Sequence, residues 1–326
     1  ALASALSHLG NTQSALQQLR ALISENPGSF EGYLALAKLL AQTGSWAEAS
    51  DHAARAMELS PKNKEPVLLY LQAQIQLLST GTGVQGAVDT QVRSNIQQQL
   101  SVLEKNAESI GEVKLLQFQL ALQQDKLTEA ETLIAQLKQT SLSKARIVMA
   151  EAELLTAQAK IDQAILRLNE AVKEFPESVD LIRYLAILLD RKGSQKECEA
   201  CIKDALERIG APIARRELSL LLAQFYTRWE QKDNVYVLLN ELARKMPDDI
   251  LIKRRLLLCE QVTNDSEQAQ RIVDDIKSIE GEGGWQWRYE QAKVWFGMDD
   301  FKNRYPQILS LLQKNMQMNP NDQTSH

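Results

Sequence analysis

Apolar and small side chains recur along this chain in runs of helix length, and the runs close on a glycine or a proline. One run extends from Phe30 to Gly44, and the next extends from Ser45 to Pro61. A glycine allows a tight turn without a side-chain clash, and a proline ends a helix because it cannot continue the helix interior. The pattern therefore predicts two consecutive helices that are joined by a turn at Gly44.

This two-helix pattern repeats with a period of 34 residues. Three independent pairs of residues show the period: Pro27 with Pro61, Gly10 with Gly44, and Ala15 with Ala49. The repeats are regular over 1–61 and 145–206, while about 79–106 holds an irregular insertion and 280–326 a divergent, aromatic-rich repeat. We expect about nine helix pairs, with Pro306 starting the last helix, where its missing N–H group is harmless.

The unit resembles the tetratricopeptide repeat, a helix–turn–helix of the same length. It departs from the family pattern at Leu40, where tyrosine is usual, and at Ala53, where a larger aromatic residue is usual. The resemblance implies an all-α fold, a right-handed superhelical solenoid that forms a single domain over 1–326. The residues that carry the resemblance are Tyr33, Leu36, Ala37, Gly44, Trp46, Ala49, Ala56 and Pro61.

Composition agrees with a helical fold and narrows the classes of function. The 326 residues include only 14 Gly and 8 Pro, which argues against strand folds that need many turns. Basic residues number 37 and acidic residues 42, so the charge balance does not indicate a nucleic-acid partner. No apolar run approaches the roughly 20 residues of a membrane span, and none is expected in this chain.

In the family, the first helix of each pair lines a concave groove that binds peptide segments or partner helices. The corresponding positions of successive first helices predict an apolar, amide-rich surface in the N-terminal half. It is formed by Leu34, Lys38, Leu69, Gln72, Leu116 and Gln119. They predict an arginine-rich surface in the C-terminal half, formed by Arg183, Tyr184, Arg191, Arg228, Arg254 and Arg255. Arginine pairs bidentately with carboxylates, so the expected partner is a protein or peptide with an apolar and an acidic stretch. The alternative is that the leucines pack between adjacent helices and the arginines are ordinary solvated residues.

Seven aromatic residues crowd into 285–305. Trp285, Tyr289 and Trp295 share one face of a predicted helix, because residues three and four apart are neighbours on a helix surface. They form either an aromatic patch for a partner or a set of rings that buries an irregular junction.

Residues with catalytic or metal-binding chemistry are scattered. The three histidines, at 8, 52 and 326, lie in separate places, and the sequence holds no phosphate-binding glycine loop. Cys198 and Cys201 form a C-x-x-C pair, but it falls on a predicted second helix, where packing of small residues explains Cys198. A zinc site would need further ligands, so no metal, no cofactor and no enzyme activity are expected.

The sequence therefore favours a non-catalytic scaffold for protein–protein interaction. Two alternatives stay open: a regulatory or substrate-recruiting arm of a larger enzyme, and an assembly component of the bacterial envelope or of polysaccharide secretion. Three cysteines fit a reducing compartment. They do not decide between the cytoplasm and the bacterial envelope as the localisation. The helix pairs look cut at both ends, so we expect the natural protein to continue with more repeats or another domain.

Overall fold

The computed structural model describes residues 12–79, 87–105, 109–298 and 300–318. This part of the chain is all-helical, as predicted, with 18 helices and no strand. It divides into two compact units, Ala1–Ile209 and Gly210–His326, and the single solenoid expected over 1–326 stays a prediction. None of the described helices is long and apolar enough to cross a membrane. Residues 80–86 and 106 of the expected insertion, and 319–326 of the divergent repeat, lie outside the described residues.

The first unit consists of α1 and five helix pairs. The first helix of a pair contacts its own second helix, and the second helix contacts the next pair. The first helices of the first four pairs, α2, α4, α6 and α8, also contact one another in turn. The helices are α1 (Thr12–Glu25), α2 (Phe30–Gln42), α3 (Trp46–Leu59), α4 (Glu65–Ser79), α5 (Ala87–Leu103), α6 (Ile110–Gln123), α7 (Leu127–Leu137), α8 (Lys144–Ala157), α9 (Ile161–Glu174), α10 (Val179–Arg191) and α11 (Gln195–Arg208).

Small residues let the two helices of a pair approach closely. Ala49, Ala53 and Ala56 are completely buried on α3, and Ala164 and Ala171 are completely buried on α9. The first cysteine of the C-x-x-C pair, residue 198, lies at the corresponding position of α11 and is also buried. Its thiol donates to the carbonyl oxygen of residue 186 at 3.3 Å. The structure therefore confirms that packing explains this cysteine.

In five of the described helix pairs, the turn between the two helices has one backbone shape even where glycine is missing. Gly44 and Gly193 have φ angles of 79° and 82°, as expected for glycine in a left-handed turn. Asp125, Ala159 and Glu230 occupy the corresponding turns of other pairs with φ angles of 55°, 60° and 59°. A residue with a side chain costs about 1–2 kcal/mol in this conformation, so packing of the flanking helices maintains the turn.

The second unit continues the pairs less regularly. Two short helices, α14 and α15, stand where one first helix is expected, and the chain between them spans 257–259. With these two counted as one, the described helices form eight pairs after α1, in line with the expected number. The helices are α12 (Pro212–Arg228), α13 (Lys232–Lys245), α14 (Ile250–Leu256), α15 (Glu260–Thr263), α16 (Ser266–Glu280), α17 (Gln286–Phe296) and α18 (Phe301–Met318).

The expectation that Pro306 starts the last helix is wrong. Helix α18 begins at Phe301, and Pro306 lies inside it. Two interactions stabilise the turn before the proline: Asp300 pairs with Arg304 at 2.9 Å, and the Phe301 ring packs on Phe296 with centroids 5.4 Å apart. The helix therefore accommodates the proline, which removes one helical hydrogen bond.

A polar network holds the end of the second unit together. Arg288 on α17 is completely buried, and its Nε donates to Oδ1 of Asn315 on α18 at 2.7 Å. Its two other nitrogens donate to the carbonyl oxygens of Glu282 at 2.8 Å and Gly283 at 3.2 Å. Asn315 in turn donates to the carbonyl oxygen of Trp285 at 2.9 Å. One guanidinium therefore connects α17, α18 and the turn that precedes α17.

Candidate functional site

The first unit contains a concave cavity of about 770 Å³, here called the groove. Side chains from the first helices of five consecutive pairs line it, on α2, α4, α6, α8 and α10. The three central helices contribute Glu65, Leu68, Leu69 and Gln72 on α4, Glu112, Leu115, Leu116 and Gln119 on α6, and Ala145, Arg146, Met149, Ala150 and Glu153 on α8.

The spacing of these side chains explains why they meet in one groove. On each central helix, four lining residues lie at positions i, i+3, i+4 and i+7, which form one face of an α-helix. The two middle positions are apolar on all three helices, and they form an apolar stripe along the groove. The outer positions are charged or amide side chains, so polar rows flank the stripe on both sides.

The cations that line the groove are all paired with carboxylates of the groove. Lys38 pairs with Glu65 at 2.6 Å, and Arg146 pairs with Glu112 at 3.4 Å. On α10, Arg183 pairs with Asp180. These pairs are largely exposed, so each contributes about 0–1 kcal/mol to stability.

Glu153 differs from the other carboxylates of the groove. No cation among the described residues lies within ion-pair distance of it, and no hydrogen bond reaches it. Burial raises the pKa of the Glu153 carboxyl to about 7, because the charged form is poorly solvated there. Burial also raises the pKa of the neighbouring Tyr184, whose hydroxyl donates to Oγ1 of Thr156 at 3.0 Å. The groove therefore holds one carboxyl that costs stability when it is ionised.

We expect Glu153→Gln to stabilise the first unit at pH 8 by up to about 3 kcal/mol. The carboxyl titrates near 4.5 when unfolded and at about 7 when folded, so stability is lost as pH rises between these values. The variant lacks this loss, and it should match the native chain below pH 4.5. Urea denaturation followed by circular dichroism at the two pH values measures the difference. Glu177→Gln, an exposed carboxyl between α9 and α10, is the matched control and should change stability little at either pH. An equal effect of Glu153→Gln at both pH values would contradict the role of burial.

Seven of the partner-binding residues expected from the sequence line this groove. They are Lys38, Leu69, Gln72, Leu116, Gln119, Arg183 and Tyr184. Leu34 is buried on α2 and does not line the cavity, and Arg191 is exposed at the end of α10. Their assignment as partner-binding residues stays a prediction.

The other expected arginines belong to the second unit and are engaged there. The Nε of Arg254 donates to Oε1 of Glu290 at 2.7 Å, and its guanidinium lies over the rings of Trp285 and Tyr289, at 5.5 and 5.9 Å from their centroids. Arg255 is half-buried, and burial lowers its pKa. Arg228 is exposed and lies 5.6 Å from the centroid of a phenylalanine ring.

The expected aromatic patch is half-buried and carries cations on its rings. Trp285 and Tyr289 enclose Arg254, and Trp295 lies under Arg304 at 5.8 Å. Trp287, between them in sequence, is buried in the apolar core of the second unit. The rings therefore contribute to packing within the unit, and a docking role for Trp285, Tyr289 and Trp295 stays a prediction.

Sequence reasoning missed five of the seven charged residues that line the groove. They are Glu65, Glu112, Arg146, Glu153 and Asp180. The period held a signal for them, because position 153 follows Gln119 by one full repeat and position 146 follows position 112 by the same interval. Among the described residues, no group of three or more His, Cys, Asp or Glu is arranged to hold a metal ion.

A tetratricopeptide repeat family model matches residues 6–75. A search of curated proteins finds no match. Among solved structures, a tetratricopeptide repeat protein from Parabacteroides merdae is 16% identical with a TM-score of 0.44, and the alignment covers 79% of this chain and 95% of that one. A chain of the APC/C hetero-tetramer Cut9-Hcn1 is 13% identical with a TM-score of 0.48, and the alignment covers 98% of this chain and 58% of the other. The family match therefore identifies tetratricopeptide repeats within residues 6–75.

Proposed function

We propose that the chain is a non-catalytic scaffold whose groove binds a segment of a partner protein. Tetratricopeptide repeats support a role in protein–protein interaction in general. The observation that carries the more specific proposal is the groove itself, a cavity of about 770 Å³ lined by corresponding side chains of consecutive first helices. Concave, largely apolar sites with a few polar groups are the usual binding sites of proteins.

Part of the apolar stripe of the groove is available to a partner. Leu69 and Met149 line the cavity at half-buried positions. Gln72 and Gln119 border the stripe with amide groups that can donate to and accept from a peptide backbone. A segment with apolar side chains would bury them on the stripe and satisfy its backbone on the amides.

The acidic stretch that the sequence predicted for the partner finds less support in this groove. Its three cations, Lys38, Arg146 and Arg183, are already paired with carboxylates of the groove. An acidic partner for Arg254 and Arg255 of the second unit stays a prediction.

We expect Leu69→Glu to weaken peptide binding by about tenfold or more, because a charge in an apolar contact is desolvated without compensation. The probe is a set of peptides selected from a random display library on the full chain, titrated by fluorescence polarisation. Leu166→Glu is the matched control, since Leu166 lies on α9, outside the groove, with 63% of its surface exposed. Both variants should keep the helical circular dichroism spectrum. Selected peptides that bind both variants equally would place binding outside the groove and refute the proposal.

A further inference from the structure

Two hydrogen-bond acceptors without donors lie side by side in the groove. Glu153 on α8 has no ion pair or hydrogen bond among the described residues. Gln119 occupies the equivalent position on α6, and its Oε1 is buried with no hydrogen-bond partner. Helices α6 and α8 contact each other, so both acceptors face the same part of the cavity.

An acceptor that is buried without a donor is costly, and most buried polar groups in proteins are paired. Here the unpaired acceptors are a buried amide oxygen and a half-buried carboxyl, while all the cations of the groove are paired with other carboxylates. Among the described residues, none donates to Glu153 or to the side-chain carbonyl of Gln119. A ligand with several donors and a positive charge complements both groups.

The surroundings define the chemistry of that ligand further. Apolar side chains of α6 and α8 adjoin the two acceptors, namely Leu115, Leu116, Met149 and Ala150. A free inorganic cation would leave this apolar surface exposed. A guanidinium carries five N–H donors in a rigid plane and can serve two acceptors, whereas an ammonium acts as a point charge. An arginine flanked by apolar residues fits both parts of the surface.

We propose that Glu153 and Gln119 form a recognition site for an arginine side chain of the partner segment, whose neighbouring apolar residues lie on the stripe. This inference rests on the proposed function of the groove. The sequence predicted an acidic stretch in the partner, whereas the segment proposed to bind at Glu153 and Gln119 carries a positive charge.

The test uses peptides of ten randomised positions, selected by display on the full chain at pH 8. We expect the selected sequences to be enriched in arginine next to Leu, Ile, Met or Phe. One such peptide, and the same peptide with its arginine replaced by glutamine, is then titrated against the native chain, Glu153→Gln and Gln119→Leu. The exposed Glu177→Gln removes the same charge outside the groove and is the matched control.

Glu153→Gln should weaken binding of the arginine peptide by about tenfold or more, which is the range expected for loss of a charge-assisted hydrogen bond. Gln119→Leu should weaken it by less, and Glu177→Gln by less than twofold. The glutamine peptide should bind the native chain and Glu153→Gln equally. If Leu69→Glu abolishes binding but Glu153→Gln does not change it, the arginine site is refuted and the proposed groove function stands. If Leu69→Glu has no effect, the groove function itself fails.

Discussion

Replacing Asp249 with alanine is expected to lower the free energy of unfolding of the second unit by about 3–5 kcal/mol. The Asp249 side chain is 2% exposed and accepts hydrogen bonds from Nε and Nη2 of Arg216, the latter at 3.3 Å. It also accepts from the backbone N–H of Ile252 at 3.2 Å and so caps the start of α14. The substitution removes the cap and leaves the guanidinium of Arg216 buried without its counter-charge.

The matched control for this prediction is Asp265→Ala. Asp265 caps α16 by accepting from the N–H of Gln268 at 2.9 Å, but it is exposed, so its loss should cost only about 1 kcal/mol. Asp249→Asn, which keeps a capping side chain and loses the charge, should fall between the two. Urea denaturation followed by tryptophan fluorescence reports on this unit, because four of the five tryptophans lie at 229–295. Equal losses for Asp249→Ala and Asp265→Ala would show that the buried ion pair contributes nothing.

The second large effect is expected for Arg288→Met, with a loss of about 3–5 kcal/mol in the second unit. Methionine fills much of the same volume but supplies no donor. It would remove the donors that now serve Oδ1 of Asn315 and the carbonyl oxygens of Glu282 and Gly283. Arg288→Lys should also be destabilising, because an ammonium cannot direct donors to three separate acceptors in one plane.

The same fluorescence measurement tests this prediction, and hydrogen exchange locates the effect. Protection should fall in α17, in α18 and in the turn at 281–285, which the guanidinium connects. Arg304→Met is the control on α18, since Arg304 forms an exposed pair with Asp300 that contributes less than about 1 kcal/mol. A loss for Arg288→Met no greater than that of the control would contradict a structural role for the buried network.

The fold could be predicted from the sequence because its determinants are local and periodic. Small residues such as Ala49 and Ala56 and the turn glycine at 44 recur at fixed spacing, and each acts within one helix pair. The apolar and amide residues of the groove followed from the same spacing. The repeat spacing could not predict the raised pKa of Glu153, because that pKa depends on burial by side chains from several helices.

The second unit was harder to predict because its determinants are not periodic. Arg254 and Glu290 are 36 residues apart and form an ion pair, so an arginine that looked free in sequence is engaged in the structure. Arg288 and Asn315 lie in the divergent part, where no repeat spacing connects them. Polar pairs of this kind specify contacts that the hydrophobic pattern leaves undetermined.

The groove also shows that the number of residues between two helix pairs can change while the lining residues keep their arrangement. Corresponding lining residues on α4 and α6 are 47 residues apart, whereas those on α6 and α8 are 34 apart, yet all three helices present their side chains in the same order. In the proposed function, recognition depends on position within each first helix, and the number of residues between these helices is free to vary. Variation in length between α4 and α6 would leave the binding specificity of related chains intact, while a one-residue shift within α6 would change it.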